Sequence, residues 1–359
     1  MGAVPASQFG SIAVIREEGL KNLAKHEYKG GDYTPLDIVC YKYWWDPVLS
    51  FIPLNVAPNL ITIIGFLFAL SNVPVIYVTN PTLSNPANVV VQIWAAFSFL
   101  FYMMMDAIDG RQARRTKSGS PLGQLLDHGC DSILSGVLAI VLSSTLRVGL
   151  SLEFVILMSI SQIVFFIGQW EENNIGVCRT SVLGLFGTTE YLLSFSFLQV
   201  AVLFLDDDDL SIVRSLVYLS TKVIGLASGL FCIINVLVNT HKISALVSLV
   251  PIIVLNISFG FLTLQLNSLS SFLPFISLSL LNSFLIIQMI LSTVTWTPID
   301  LIAQLFTISP ILALTLSFDP VPGTYALILT AIIAVFVCQY LVRAVFQISN
   351  FLNIKVFRI

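Results

Sequence analysis

Residues 106–131 read DAIDGRQARRTKSGSPLGQLLDHGCD, and this stretch decides the kind of fold. Two aspartate pairs lie at its ends, Asp106 with Asp109 and Asp127 with Asp131. Spacings of three and four residues place both members of a pair on one helix face. The basic segment between the pairs is rich in turn residues. The stretch therefore predicts helix, turn, helix, with the two acidic faces brought together.

The composition of the chain indicates a membrane protein. Hydrophobic residues make up 56% of the 359 residues, charged residues make up 10%, and the mean hydropathy is +0.91. Apolar runs recur that are close to the roughly 20 residues a helix needs to cross a bilayer. We therefore expect an all-α integral membrane protein. A net charge of -3 and the lack of a basic arm argue against nucleic acid as a partner.

We predict about ten transmembrane helices after a tail and an interfacial helix. The predicted spans are residues 59–78, 88–109, 131–148, 152–170, 188–205, 217–239, 244–264, 269–291, 299–318 and 324–348. The expected divisions are a cytosolic tail with the interfacial helix (1–57), a catalytic core (58–205) and C-terminal transmembrane helices (206–359). The acidic run Asp206–Asp209 is expected to be a solvated loop tip.

Residues 34–57 are too charged to span a membrane and too aromatic for an ordinary loop. Charged residues interrupt a cluster that includes Trp44 and Trp45. Tryptophan favours the level of the lipid headgroups. We therefore predict an amphipathic helix in the membrane interface, anchored by these two tryptophans.

The basic residues predict the orientation in the membrane. Most of the 17 lysines and arginines fall in the N-terminal tail, in the loop after the second span and in other segments on the same side. Such a bias marks the cytosolic side. The aspartate motif is therefore expected to open to the cytosol.

The aspartates predict a metal centre. Carboxylates in or beside spanning helices are costly unless they bind something. Two divalent cations would neutralise four carboxylates, and oxygen ligands favour Mg²⁺ or Mn²⁺. Two ions about 4 Å apart are the usual clamp for displacement at phosphorus. The alternative is that Arg111, Arg114 and Arg115 form interhelical salt bridges with the aspartates.

Other residues of the motif suit a phosphorylated ligand. Gly110 and Gly123 have no side chain, so a ligand or a neighbouring helix can approach closely. Arg114 lies one turn beyond Gly110 and suits a bidentate phosphate contact. His128 adjoins one of the aspartates and is placed to take a proton from an incoming hydroxyl.

The complete pattern, D-x2-D-G-x2-A-R-x8-G-x3-D-x3-D, resembles the signature of the CDP-alcohol phosphotransferases. The contexts DAIDGRQARRT and SPLGQLLDHGCDS look like the eukaryotic choline/ethanolamine phosphotransferase branch of that family. The segments YKGGDYTPLD, WWDP, APNLIT and WEE agree with the same branch. The resemblance covers essentially the whole chain.

The resemblance implies how a CDP-linked donor is held. The four aspartates would ligate two Mg²⁺ or Mn²⁺ ions that hold its pyrophosphate. Arg114 would contact the donor phosphates, and Asn59 would bind the donor from the start of span one. The small residues Gly110, Ala113 and Gly123 would admit the cytidine.

The resemblance also implies a catalytic base and leaves the headgroup open. His128 resembles the general base of the eukaryotic branch, whereas bacterial relatives point to the last aspartate, here Asp131. After WEE, relatives often continue with Tyr and His, but this chain has Asn173 and Asn174. The carboxylates available to hold a cationic amine are Glu171, Glu172 and Glu190.

The implied function is transfer of phosphocholine, phosphoethanolamine or both from CDP-choline or CDP-ethanolamine to diacylglycerol, with release of CMP. The expected location is the endoplasmic reticulum or Golgi membrane, with the active site facing the cytosol. The oligomeric state is not predicted, and a homodimer is one of the possibilities. One alternative is a phosphatidylinositol-type synthase that uses CDP-diacylglycerol, against which the chain length and the context of His128 argue. The other is a polytopic transporter, for which inverted repeats or broken helices would be expected.

Overall fold

Helices dominate the part of the chain that the structure, a computed structural model, describes: residues 13–31, 33–86, 88–179, 181–182, 184–262, 271–317 and 323–359. Four short elements precede the first long apolar helix. They are α1 (Glu17–Leu23), α2 (Pro35–Cys40), a π-helical turn (Tyr41–Trp45) and α3 (Asp46–Phe51). Thr34 and Asp37 form a capping box that starts α2, and the helix then runs without interruption into α3.

The remaining helices are α4 (Pro58–Leu70), α5 (Asn72–Thr79), α6 (Val89–Thr116), α7 (Pro121–Thr145), α8 (Leu152–Ile175), α9 (Thr188–Ala201), α10 (Asp207–Thr240), α11 (Val250–Leu262), α12 (Leu273–Thr295), α13 (Leu301–Ser317) and α14 (Gly323–Leu352). Short 3₁₀ helices cover Val202–Phe204 and Ile243–Leu249. Two two-residue strands, β1 (Ser181–Val182) and β2 (Phe186–Gly187), pair antiparallel before α9.

The helices confirm the prediction of an all-α integral membrane protein. Among the described residues, eight helices are long and apolar enough to cross a membrane, with Pro58–Thr79 treated as one helix. The shorter apolar segment Thr188–Phe204 and α13 occupy the other two predicted positions. Every predicted span overlaps a helix, although the predicted ends at 264, 269 and 318 lie outside the described residues.

Several helices extend well beyond their predicted spans. The helix α6 ends at Thr116 instead of residue 109, α7 begins at Pro121 instead of residue 131, and α10 begins at Asp207 instead of residue 217. The run Asp206–Asp209 forms a helix N-terminus instead of a loop tip. Asp206 accepts a hydrogen bond from the backbone amide of Asp209 at 2.8 Å, and Asp207 lies 2.7 Å from Arg147. Acidic side chains stabilise a helix start because the backbone amides there lack partners.

The predicted interfacial segment is helical and Trp44 is partly exposed, but Trp45 is buried and cannot serve as the second predicted anchor. Trp45 is only 1% exposed and packs edge-on against Tyr41, with ring centroids 4.6 Å apart. The large exposed side chains of this segment include Tyr43 and Phe51. The helical part ends at Phe51 and does not continue to residue 57.

The helices α7 and α12 form the centre of the bundle, and most of their residues are buried. Small residues allow this close packing: a Cβ placed on Gly136 of α7 would lie 2.7 Å from Cβ of Ser279 in α12. Hydrogen bonds between amide side chains connect this pair to other helices. For example, Asn282 of α12 donates to Gln162 of α8 at 2.9 Å. The apolar faces of α10 and α14 remain largely exposed, as expected for lipid-facing helices.

Candidate active site

A tight turn brings the two halves of the aspartate motif together. Lys117 ends α6 in the left-handed conformation with φ +54°, and the amide of Ser118 donates to the carbonyl of Ala113 at 2.9 Å. Ser120 then caps α7 by accepting from the amide of Gly123 at 3.2 Å, with Pro121 at the first helical position. The predicted helix, turn, helix is therefore confirmed.

Three of the four motif aspartates form one cluster. Carboxylate oxygens of Asp106, Asp109 and Asp127 all lie within 4.8 Å of one another. Asp109 is buried, and the other two are partly buried. Because α6 supplies the first two and α7 the third, the cluster depends on the packing of these helices.

Two hydroxyl groups orient the carboxylates from other helices or turns. The hydroxyl of Thr62, on α4, donates to Asp109. The hydroxyl of Tyr102, one turn before Asp106 on α6, donates to Oδ1 of Asp131. Asp131 thus lies beside the cluster with one oxygen already engaged. Such supporting hydrogen bonds set the direction in which a carboxylate presents its free oxygens.

The residues present fit a divalent cation. Oδ1 of Asp127 is buried and has no hydrogen-bond partner within the described part of the chain, although it belongs to a group of three crowded carboxylates. A buried anionic oxygen is costly when it has no donor or counter-charge. A cation shared by Asp106, Asp109 and Asp127 would satisfy that oxygen and offset the repulsion. An all-oxygen donor set suits Mg²⁺ or Mn²⁺.

The arginines of the motif do not supply that counter-charge. Arg111 pairs with Asp46 and lies 3.6 Å above the ring of Tyr41. Arg115 donates to the carbonyl of Leu49 at 2.8 Å. Arg114 is exposed and makes no ion pair among the described residues. Within that part of the chain, the alternative of salt bridges from these arginines to the four motif aspartates is therefore wrong.

The residues expected to bind the donor lie on α4, α6 and α7. A Cβ placed on Gly123 would lie 3.5 Å from Oδ1 of Asn59, and Nδ2 of Asn59 donates to the carbonyl of Val356 at 2.8 Å. A Cβ placed on Gly110 would lie 3.7 Å from Nη1 of Arg114. Ala113 is the residue before Arg114, and its side chain is partly buried. The arginine is thus near the aspartates and free to contact an anion.

His128 lies between the aspartate cluster and a second polar group. Its Nε2 is 3.9 Å from Oδ2 of Asp127. Its Nδ1 is 3.1 Å from the amide oxygen of Gln169 and 3.9 Å from Oε2 of Glu172. Because both neighbours of Nδ1 accept hydrogen bonds, Nδ1 carries the hydrogen and Nε2 is left to accept a proton. The ring of Tyr28 packs edge-on against the imidazole ring of His128, with the two ring centroids 5.9 Å apart.

Glu172 connects His128 to a cavity of about 740 Å³. Its Oε1 accepts from Gln124 at 2.6 Å, and Gln124 in turn lies 2.7 Å from Nε2 of His26. The cavity lining includes His26, Glu172, Asn173, Asn174 and Trp296. His26 is therefore linked through Gln124 to Glu172, a connection that the sequence did not indicate.

The other candidates for holding an amine are engaged elsewhere. Glu171 is buried, accepts from Asn235 and lies 3.6 Å from Arg179. Glu190 accepts from the backbone amide of Gly187 at 2.8 Å as a helix cap. Of the three carboxylates considered, only Glu172 lines the cavity.

Sequence reasoning missed five contributors to the site: Tyr28, Thr62, Tyr102, Gln124 and Gln169. Helical spacing was a usable signal for three of them. Tyr102 is one turn before Asp106, and Gln169 is one turn before Glu172. Thr62 follows Asn59 by three residues and shares its helix face. For Tyr28, a residue 100 positions from His128, no local signal exists.

Comparison with known proteins agrees with this geometry. A sequence model of the CDP-alcohol phosphatidyltransferase family matches residues 55–239, a range that contains both aspartate pairs. An uncharacterised CDP-alcohol phosphatidyltransferase class-I family protein 2 of Dictyostelium discoideum is 37% identical over 187 residues, which cover 52% of this chain and 45% of the relative.

Two relatives carry more specific names. Choline/ethanolaminephosphotransferase 2 of Arabidopsis thaliana is 34% identical over 160 residues, or 45% of this chain and 41% of the relative. Cholinephosphotransferase 1 of Mus musculus is 36% identical over 162 residues, or 45% of this chain and 40% of the relative. The matched segments thus span less than half the length of these curated relatives.

Proposed function

This chain belongs to the CDP-alcohol phosphatidyltransferase family, and from that premise we propose that it transfers phosphocholine or phosphoethanolamine from the CDP-linked alcohol to diacylglycerol. The products are phosphatidylcholine or phosphatidylethanolamine, and CMP. The proposed location is the endoplasmic reticulum or Golgi, with the active site facing the cytosol. The catalytic core is assigned to residues 58–205.

The juxtaposition of His128 with the aspartate cluster carries the proposal. Nε2 of His128 is 3.9 Å from Oδ2 of Asp127, whose other oxygen is buried and has no hydrogen-bond partner among the residues that the structure describes. A proton acceptor thus lies directly beside the position where the donor phosphates would be held. Transfer of a phospho-alcohol to a hydroxyl needs this pair of features, because the hydroxyl must lose a proton as it attacks phosphorus.

The aspartates would hold two divalent cations, with Asp106, Asp109 and Asp127 as one set and Asp131 completing the site. Bound Mg²⁺ or Mn²⁺ would neutralise the pyrophosphate and the charge that develops on the leaving CMP. Arg114, exposed and without an ion pair in the described chain, would add a bidentate contact to a phosphate. Asn59 and the small residues Gly110, Ala113 and Gly123 would accept the cytidine.

His128 would act on the acceptor. Its Nδ1 hydrogen is held by Gln169, so Nε2 takes the proton of the diacylglycerol hydroxyl. The hydroxyl oxygen then attacks the β-phosphorus in line, and CMP departs. The carboxylate of Glu172, 3.9 Å from Nδ1, stabilises the imidazolium that forms. No covalent enzyme intermediate is needed. Asp131 is the alternative base, although one of its oxygens already accepts from Tyr102.

The proposal is tested by measuring CMP release from the purified protein in lipid nanodiscs. CDP-choline and CDP-ethanolamine would each be supplied with diacylglycerol, and CDP-diacylglycerol would be supplied with inositol in a parallel reaction. We expect CMP and the matching phospholipid with the first two donors, dependent on Mg²⁺ or Mn²⁺. Turnover only with CDP-diacylglycerol would favour the phosphatidylinositol-type synthase, and no CMP from any pair would reject the proposal.

A further inference from the structure

A second cluster of potential metal ligands lies on the other side of His128 from the aspartates. Ligand atoms of His128, Glu172 and Cys178 all lie within 4.8 Å of one another. All three residues are buried: His128 is 7% exposed, Glu172 is 3% exposed and Cys178 is 4% exposed. The cluster offers one nitrogen, one carboxylate oxygen and one sulfur, a donor set unlike that of the aspartate centre.

Backbone pairing holds the cysteine in place. The amide of Cys178 donates to the carbonyl of Lys29 at 2.9 Å, and the amide of Gly31 donates to the carbonyl of Cys178 at 2.6 Å. This parallel bridge follows Gly176, which ends α8 with φ +80°. The N-terminal segment and the end of α8 therefore fix the thiol next to the carboxylate of Glu172.

An unpartnered atom points to a ligand at this cluster. Oε2 of Glu172 is buried and has no hydrogen-bond partner within the described residues, while Oε1 is engaged by Gln124. The unpartnered oxygen is 3.9 Å from Nδ1 of His128. Leaving a carboxylate oxygen unpaired in a buried position is costly, and a cation at this point would remove that cost.

We propose that His128, Glu172 and Cys178 form a binding site for a thiophilic divalent cation, with Zn²⁺ as the fitting ion, and that its occupancy inhibits the enzyme. Zinc takes nitrogen, oxygen and thiolate ligands together, whereas Mg²⁺ and Mn²⁺ favour oxygen. The inhibition, unlike the binding, rests on the proposed function, because it requires His128 to be the base.

Binding of the ion requires the three ligand atoms, which lie within 4.8 Å of one another, to move closer together. Tetrahedral zinc with bonds of about 2.0–2.3 Å places its ligand atoms about 3.3–3.8 Å apart, against 3.9 Å between Nδ1 of His128 and Oε2 of Glu172. As the zinc–sulfur bond forms, the proton of the Cys178 thiol passes to water. The hydrogen on Nδ1 of His128 is replaced by the metal, and the ring then carries its hydrogen on Nε2. The adjoining cavity, which Glu172 lines, supplies a water molecule as the fourth ligand.

This rearrangement explains how the ion would inhibit. With zinc on Nδ1 and hydrogen on Nε2, His128 has no nitrogen left to accept the proton of the acceptor hydroxyl. Burial, with Glu172 nearby, raises the pKa of the Cys178 thiol well above its ordinary value. The thiol therefore starts protonated, so zinc binding releases a proton and weakens as the pH falls.

The binding is tested by titrating the purified full-length protein with Cd²⁺ in excess Mg²⁺ and following the ultraviolet charge-transfer band of a cadmium–thiolate bond. We expect one equivalent of the band in the wild type and its loss in Cys178→Ser. Cys40→Ser and Cys130→Ser are matched controls, since both remove a buried free thiol outside the cluster, and both should keep the band. No band in the wild type, or an unchanged band in Cys178→Ser, would overturn the site.

A second variant guards against a failure of Cys178→Ser to fold. Glu172→Gln keeps the thiol and removes a charged ligand, so the cadmium affinity should fall by about 10-fold or more. Unchanged cadmium affinity in Glu172→Gln would also reject the site.

Inhibition is measured separately: Zn²⁺ in excess Mg²⁺ should stop CMP release by the wild type, and Cys178→Ser should need about 10-fold more Zn²⁺. If the wild type releases no CMP from any donor, the proposed function fails while the spectroscopic result still decides the metal site.

Discussion

The amide oxygen of Gln169 lies 3.1 Å from Nδ1 of His128, on the side of the imidazole ring away from Asp127. This contact selects the tautomer whose free nitrogen, Nε2, faces the aspartate cluster. A base in this position needs a fixed ring orientation as well as a suitable nitrogen.

Replacing His128 by Ala should lower the transfer rate by about 100-fold or more, as expected for loss of a general base. Binding of the CDP-linked donor should change little, because the donor is assigned to the aspartates and their neighbours. Turnover and donor affinity are measured separately. His241→Asn is the control, since His241 is exposed and adopts a left-handed conformation that Asn tolerates. Lost donor affinity with intact turnover would make His128 structural and Asp131 the better base.

Single replacement of Asp106, Asp109, Asp127 or Asp131 by Ala should abolish transfer, as should a chelator with the wild type. Each replacement removes a ligand of the proposed cations, and without those cations the negative charge of the donor phosphates is not compensated. Asp208→Ala tests for a general effect of losing an acidic residue, because Asp208 is exposed in the first turn of α10. Full activity in chelator would exclude the two-metal mechanism.

Replacing Gly136 by Ala should destabilise the bundle by about 1–3 kcal/mol, the usual cost of overpacking a core. The new methyl group would lie 2.7 Å from Cβ of Ser279 and would also meet its hydroxyl. Gly168→Ala is the matched control, because nothing lies within 4 Å of its added Cβ. Thermal unfolding in detergent compares the two, and equal stability of both variants would contradict the close packing of α7 and α12.

A protease or label added to sealed microsomes should reach the N-terminal tail, the 111–119 segment and the C-terminus. The start of α10 at Asp207 should stay protected, because the distribution of basic residues predicts that it lies on the side opposite the cytosol. Epitope tags at each position would report cleavage, with detergent-opened microsomes as the control. Protection of the 111–119 segment would contradict entry of the donor from the cytosol.

Both CDP-choline and CDP-ethanolamine should be used, and changes at Glu172 or Asn173 should alter their ratio more than they alter the affinity for CMP. Both residues line the cavity, and Asn173 also donates to Ser292 at 3.0 Å. A primary ammonium needs hydrogen-bond acceptors, whereas trimethylammonium favours aromatic faces such as that of Trp296 in the lining. Kinetics with both donors decide this, with Asn239→Ala as an exposed control. Unchanged ratios would place the headgroup pocket elsewhere.

The sequence determined the class of fold and the acidic pairs because both follow from short-range periodicity. Apolar runs of membrane-spanning length predict helices wherever they occur. The spacing from Asp106 to Asp109 places both on one face of α6 whatever surrounds that helix. The turn at Lys117 likewise follows from its local residues, so the approach of α7 to α6 was predictable.

Only the tertiary structure decided which distant groups complete the site. Tyr28 and Cys178 reach His128 and Glu172 through pairing of the N-terminal segment with the end of α8. Such contacts depend on side-chain packing and backbone pairing between segments far apart in the chain, to which no local spacing corresponds. The same reason explains the error at Trp45. Its aromatic character suggested a lipid interface, but its burial was decided by the helices that pack against it.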